Sequence, residues 1–181
     1  MMANLQIKVF SEKFFRHVDR IFITSFSEPV FVRPCFFDSE PFMRYNEFDV
    51  IVEGKDINEG FRKGKLGYHD TDVMPWYAEQ LSGYEQPFFS TLFTLSTHSP
   101  YDYPRLFEEI EWPVIEKSYV NSGYYTDMAI KMFMDKARQQ DWYDSTLFVF
   151  VADHSHSSYK NHIMESFDHH KIPMLVYGFF T

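Results

Sequence analysis

The stretch FVFVADHSH, residues 148–156, limits the possible folds of this chain more than any other. Phe148, Val149, Phe150 and Val151 are aromatic or β-branched at odd and even positions alike. Both faces of the segment therefore call for burial, the pattern of a strand inside a parallel sheet covered by helices. Asp153, His154 and His156 then crowd its carboxyl end. In open α/β sheets that edge collects ligands, because the loops leaving the strands converge there. A second apolar run of strand length, PFFSTLFTL (87–95), closes in Ser96, Thr97, His98, Ser99 and Pro100. IPMLVY (172–177) predicts a third buried strand. Tyr125, Ala129, Met132, Phe133 and Lys136 or Ala137 fall on one stripe of an amphipathic helix running from Ser122 to about Gln140. Strand, helix, strand, loop, strand is the rhythm of a βαβ unit and predicts an α/β fold with a mostly parallel sheet.

The remaining punctuation is weaker. Residues 48–52 read as a short strand, and 30–37 as one interrupted by Arg33 and Pro34. Residues 53–69 read as loop, Asp70 or Asp72 as the cap of a helix toward Leu81 that Gly83 ends, and 101–114 as an irregular excursion. With 181 residues the chain suits one domain. Its 21 Phe and 12 Tyr imply an aromatic core, and a net charge of −9 argues against nucleic acid as a partner. Cys35 is the single cysteine, which excludes an internal disulfide. No run reaches the ~18 apolar residues of a membrane span, and the amino terminus lacks a signal-peptide layout, so the chain as given reads as soluble.

Asp153 and His154 can offer a carboxylate oxygen and an imidazole nitrogen to one divalent cation, a ligand set suited to zinc or manganese. The alternative is structural: Asp153 caps the following turn and His154 is an ordinary loop histidine. Residues 119–156, YVNSGYYTDMAIKMFMDKARQQDWYDSTLFVFVADHSH, resemble the segment preceding the metal-binding Asp-His in the sulfatase and phosphoglycerol-transferase branch of the alkaline phosphatase superfamily. That branch includes the lipoteichoic acid synthases and phosphoethanolamine transferases. PFFSTLFTLSTHSPYDYP (87–104) resembles its strand ending in a histidine loop, and HKIPMLVYG (170–178) its later H-x-I/V-P-M-L strand.

The resemblance covers residues 48–181 and implies the carboxyl-terminal part of an alkaline phosphatase/sulfatase-like three-layer sandwich, a partial domain, with 1–47 poorly matched. It implies that Asp153 and His154 hold a divalent cation (manganese, zinc, magnesium or calcium), that His98 contacts the substrate, and that His156 and His170 lie around its anionic group. The implied substrate is a phosphate or sulfate ester, extending to lipid head groups. The parent family places such domains outside the cytoplasm of bacteria, tethered by amino-terminal membrane helices that this sequence lacks, and the poor match of the first residues predicts a truncated or divergent start. The family nucleophile, a threonine or a modified cysteine, is not recognisable: Cys35 lacks the modification motif, Thr94 reads as core, and Thr97 lies in the histidine loop. Ser155 stands where the family has glycine. The expectation is a weak or inactive ester hydrolase or transferase domain. The alternative is a non-catalytic module in which SHSSYKNHIMESFDHH (155–170) binds metal or anions through clustered histidines. His17, His69, His162 and His169 are expected at the surface.

Overall fold

The structure, a computed structural model, describes residues 5–11, 19–24, 44–45, 48–57, 60–112, 114–154 and 166–178. Among these, β1 (Leu5–Ser11), β2 (Asp19–Thr24), β3 (Val50–Val52), β4 (Phe88–Phe93), β5 (Thr146–Ala152) and β6 (Met174–Tyr177) form one sheet in the order β3-β2-β4-β1-β5-β6. β2 pairs in parallel with β3 and β4, whereas β1 lies antiparallel between β4 and β5, and β6 is antiparallel to β5. β2 to β5 thus share one direction, which β1 and β6 oppose. The expected mostly parallel sheet is a mixed one. Residues 5–11 (LQIKVFS) carry the alternation that marks a strand, but it is the pairing with two distant strands that makes them central.

Two helices, α1 (Asp70–Gln80) and α2 (Lys117–Ala137), pack on each other and on one face of the sheet. Tyr77 of α1 stacks on Phe133 of α2 at 5.7 Å, and Phe133 meets Phe148 of β5 edge-on at 6.0 Å. Such tilted and offset ring contacts add to the burial of large apolar surfaces. The Tyr77 hydroxyl, buried with its ring, donates to the Ser90 hydroxyl of β4 at 2.7 Å. Burial raises the Tyr77 pKa, so the group stays a neutral donor. The described residues supply two layers, helices on a sheet, of the expected sandwich.

Both helices match their sequence signals in place, with instructive shifts. α1 ends as predicted, passing into a 3-10 turn at Leu81–Gly83. Neither Asp70 nor Asp72 caps it; His69 takes the cap position without a side-chain bond, because both carboxylates are engaged elsewhere. α2 starts at Lys117 rather than Ser122. Asn121 explains the difference: its amide accepts from Ile110 N–H and donates to Ile110 O, both at 2.8 Å, so it ties the preceding excursion to the helix from inside the second turn. Met132, expected on the buried stripe, is 40% exposed, and Met134 is buried instead.

The strand expectations need two corrections. β5 does not lie between parallel neighbours, and it alternates: Thr146, Phe148, Phe150 and Ala152 are buried under the helices, while Leu147, Val149 and Val151 are half-buried. β6 is not a buried strand. It is the end strand, with Met174 67% and Leu175 62% exposed, because it pairs only with β5 among the described residues. β3 falls within the predicted 48–52. The strand predicted at 30–37, and Cys35 within it, lie outside the described residues, as does His17.

Candidate functional site

Register decides which loops meet. Gln6 of β1 is paired with Phe93 of β4 on one side and with Val151 of β5 on the other. The carboxyl ends of β4 and β5 therefore leave the sheet on the same edge, two strand spacings or ~10 Å apart. β6 runs the other way, with Met174 opposite Val151, so the segment leading into β6 starts from that edge too. His98, Asp153, His154 and His170 are all carried by these three connections. His156 and His162 lie outside the described residues.

His98 is exposed in the turn after β4, its N–H bonded to Leu95 O at 3.0 Å. Its Nδ1 lies 2.6 Å from Ser99 O. A carbonyl only accepts, so the Nδ1 proton is on that nitrogen, and Nε2 is left as a lone pair that takes either a cation or a second proton. Toward an ester oxyanion, His98 donates through Nε2 only as imidazolium. Asp153 is half-buried, and its Oδ1 accepts the His154 N–H at 2.8 Å and sits 3.6 Å from His154 Nε2. Two donors each ~2.1 Å from a tetrahedral cation are ~3.4 Å apart, so this pair fits two corners of a metal site. Among the described residues, no three His, Cys, Asp or Glu side chains gather closely enough to hold a metal ion. His170 is exposed, closing the short 3-10 turn Phe167–His170 ahead of β6.

The same edge contains residues that sequence reasoning passed over. His69, expected at the surface, is 9% exposed and lines a small recess with Gly64, Gly67, Tyr68, Leu95, Ser96 and Asp102. Gly64 is required there: a Cβ would lie 2.8 Å from His69 Cε1 and 2.9 Å from Asp102 Oδ2. Asp70 is fully buried and accepts from the backbone N–H of Leu95 at 3.3 Å and of Ser96 at 3.1 Å. Arg62 grips Asp72 through Nε at 3.0 Å and Nη2 at 2.5 Å. Burial alone would raise the Asp72 pKa, but Arg62 holds it below the usual carboxylate range. Thr71 is buried with its Oγ1 2.7 Å from the Tyr125 hydroxyl, whose pKa burial pushes up to about 12. The local signal available was GYHD (67–70), a glycine followed by three titratable residues at a helix start. Thr94 is buried, as expected of a core residue.

His69 gives a pH dependence. Desolvation lowers its pKa below 6.5 against the opposing pull of Asp102, Asp72 and Asp70, and with Arg62 lowering it further. The unfolded chain then binds the proton more readily, so stability is complete above pH ~6.5 and lost as the pH falls below it. Asp70, whose pKa burial raises, has the opposite sign: its folded form takes up a proton first and recovers stability on acidification. Urea unfolding midpoints measured at pH 7.5 and 5.5 should fall more for the native chain than for His69→Gln. The differential slope is at most ~1.4 kcal/mol per pH unit, the limit for one proton. Equal slopes would show that His69 carries no such linkage.

Residues 32–179 match the Sulfatase family. The chain belongs to that family. It is 29% identical over 92 residues to the lipoteichoic acid synthase-like protein YvgJ of Bacillus subtilis, covering 49% of this chain and 15% of that protein. It is 28% identical over 93 residues to the lipoteichoic acid synthase of Staphylococcus saprophyticus, with 49% and 14% covered. A solved alkaline phosphatase superfamily protein from Vibrio parahaemolyticus superposes with a TM-score of 0.70 at 32% identity, over 89% of this chain and 38% of that one. The lipoteichoic acid synthase LtaP of Listeria monocytogenes shares the fold, with a TM-score of 0.69 at 20% identity over 89% of this chain and 43% of that one. The chain spans about one seventh of the length of the curated relatives. No helix among the described residues is long and apolar enough to cross a membrane.

Proposed function

We propose that this chain binds a phosphate ester of the phosphoglycerol class at a divalent cation held by Asp153 and His154, with His98 facing the ester oxyanion and His170 near it. The observation that carries the reading is the register of β1 on β4 and β5 and of β6 on β5, which brings the His98, Asp153–His154 and His170 connections off one sheet edge. Two relatives are named as lipoteichoic acid synthase or synthase-like, which favours phosphoglycerol esters over sulfate esters. Bound there, the cation supplies Lewis-acid stabilisation of charge developing on the ester oxygens. Asp153 supplies the anionic donor, and its bond to the His154 backbone N–H holds the turn that carries the imidazole. His98, its Nδ1 committed to Ser99 O, has Nε2 left to face the anion. The reading assigns no nucleophile among these residues and leaves hydrolysis to water, so slow turnover is the expected outcome.

The test is calorimetric titration of glycerol phosphate with and without manganese, beside release of nitrophenol from its phosphate and sulfate esters. Binding that requires manganese, drops ~10-fold in His98→Ala and gives little turnover is expected. Equal binding without the cation would defeat the reading, and rapid manganese-dependent turnover would refute the absence of a nucleophile.

A further inference from the structure

We propose that Asp70 is a positioning residue for His98: its buried carboxylate holds the two backbone amides at the root of the His98 turn and so fixes the imidazole at the sheet edge. The inference rests on the reading of His98 given above as the group that faces the oxyanion.

Asp70 is 1% exposed, and among the described residues no lysine or arginine pairs with it. A carboxyl group without a cationic partner is costly to bury, and it is kept where directed dipoles satisfy it. Here those dipoles are the Leu95 N–H at 3.3 Å, the Ser96 N–H at 3.1 Å, the Ser96 hydroxyl and the amino-terminal turn of α1. Three of the four belong to the segment between β4 and His98. From there the bonding continues in series. Leu95 O accepts the His98 N–H at 3.0 Å, His98 O accepts the Tyr101 N–H at 2.8 Å, and Ser99 O engages His98 Nδ1 at 2.6 Å. Tyr101 stands at φ 59, a left-handed conformation that a bulky residue holds only when its surroundings over-determine it. The anchor is long-range: Asp70 and Ser96 are 26 residues apart. A side chain that only capped α1 would bond within its own first turn; this one bonds to the histidine turn instead.

The experiment is nuclear magnetic resonance of the labelled full-length chain, comparing the native sequence with Asp70→Asn. The amide replaces one acceptor by a donor aimed at amide N–H groups, so the turn loses an anchor while the volume is kept. The His98 ring nitrogens, a single Nδ1–H tautomer in the native chain, should become a mixture, and the Leu95 and Ser96 amides should exchange ~10-fold faster. Affinity for inorganic phosphate in the presence of manganese should fall ~10-fold in Asp70→Asn, yet by less than ~2-fold when the change is made in a His98→Ala background. An unchanged His98 spectrum in a folded Asp70→Asn chain overturns the proposal, as does an equal loss in both backgrounds. Should Asp70→Asn not fold, Ser96→Ala removes only the hydroxyl donor and must move the His98 resonances in the same direction; no movement overturns the proposal. If His98→Ala by itself leaves phosphate binding intact, the ester-site reading falls, while the His98 spectrum and the amide exchange still decide the role of Asp70.

Discussion

Phe148→Ala is expected to destabilise the chain by ~3–5 kcal/mol, the range for deleting a fully buried phenylalanine. Phe148 is 1% exposed and lies at the meeting point of four rings. Its centroid is 5.5 Å from Tyr143, 6.0 Å from Phe133, and 6.2 Å from both Trp142 and Tyr177. Those neighbours come from α2, from the turn before β5 and from β6, so no single element can move in to fill the space. Trp142 is further held by its Nε1 bond to Ser82 at 3.0 Å and by Phe88 at 5.9 Å, which keeps it from tilting into the hole. The cavity term therefore adds to the lost transfer energy instead of being relaxed away. At a urea m-value of ~1–3 kcal/mol/M, the midpoint should drop by more than ~1 M. Trp112→Ala serves as the contrast: at 79% exposure its loss should shift stability by less than ~0.5 kcal/mol. A loss below ~1 kcal/mol in Phe148→Ala would mean that the aromatic cluster is not the structural centre.

What the sequence made legible was local. The stop at Gly83 and most of the α2 stripe, Tyr125, Ala129, Phe133 and Ala137, appear where a glycine and the periodicity place them, Met132 being the exception. The Sulfatase match spans the three motifs that carried the resemblance, and it begins upstream of them. What escaped was pairwise and distant. Phe148 to Val151 read as buried on both faces because apolar residues occupy both parities, yet burial also depends on what covers each face. The insertion of β1 beside β5 was not visible from β5 itself. β6 read as buried for the same reason, and its place at the end of the sheet exposes it. Asp70, like Asp72, reads as a cap because aspartate at a helix start commonly is one. Its partners are amides whose identity a sequence conceals, since any residue at 95 or 96 has an N–H.

Asp153→Ala is expected to lower manganese affinity at least ~100-fold, about 2.7 kcal/mol at 1.4 kcal/mol per tenfold. The change removes two contributions together. One is the anionic donor, whose charge a divalent cation needs once it sheds water. The other is the turn itself: Oδ1 accepts the His154 backbone N–H at 2.8 Å and so holds the backbone that carries the imidazole, whose Nε2 lies 3.6 Å away. Asp153→Asn separates them, because an amide oxygen still accepts that N–H but brings no charge; its affinity should lie between native and Ala. Thermal unfolding provides a readout independent of heat of binding. At manganese 100-fold above the dissociation constant, the native chain gains ~2.7 kcal/mol of stability, and Asp153→Ala should gain almost none while its metal-free midpoint barely moves. Metal uptake at several weak sites, undiminished in Asp153→Ala, would instead assign the binding to the histidines of residues 155–170, because a cluster of imidazoles needs no carboxylate at the end of β5.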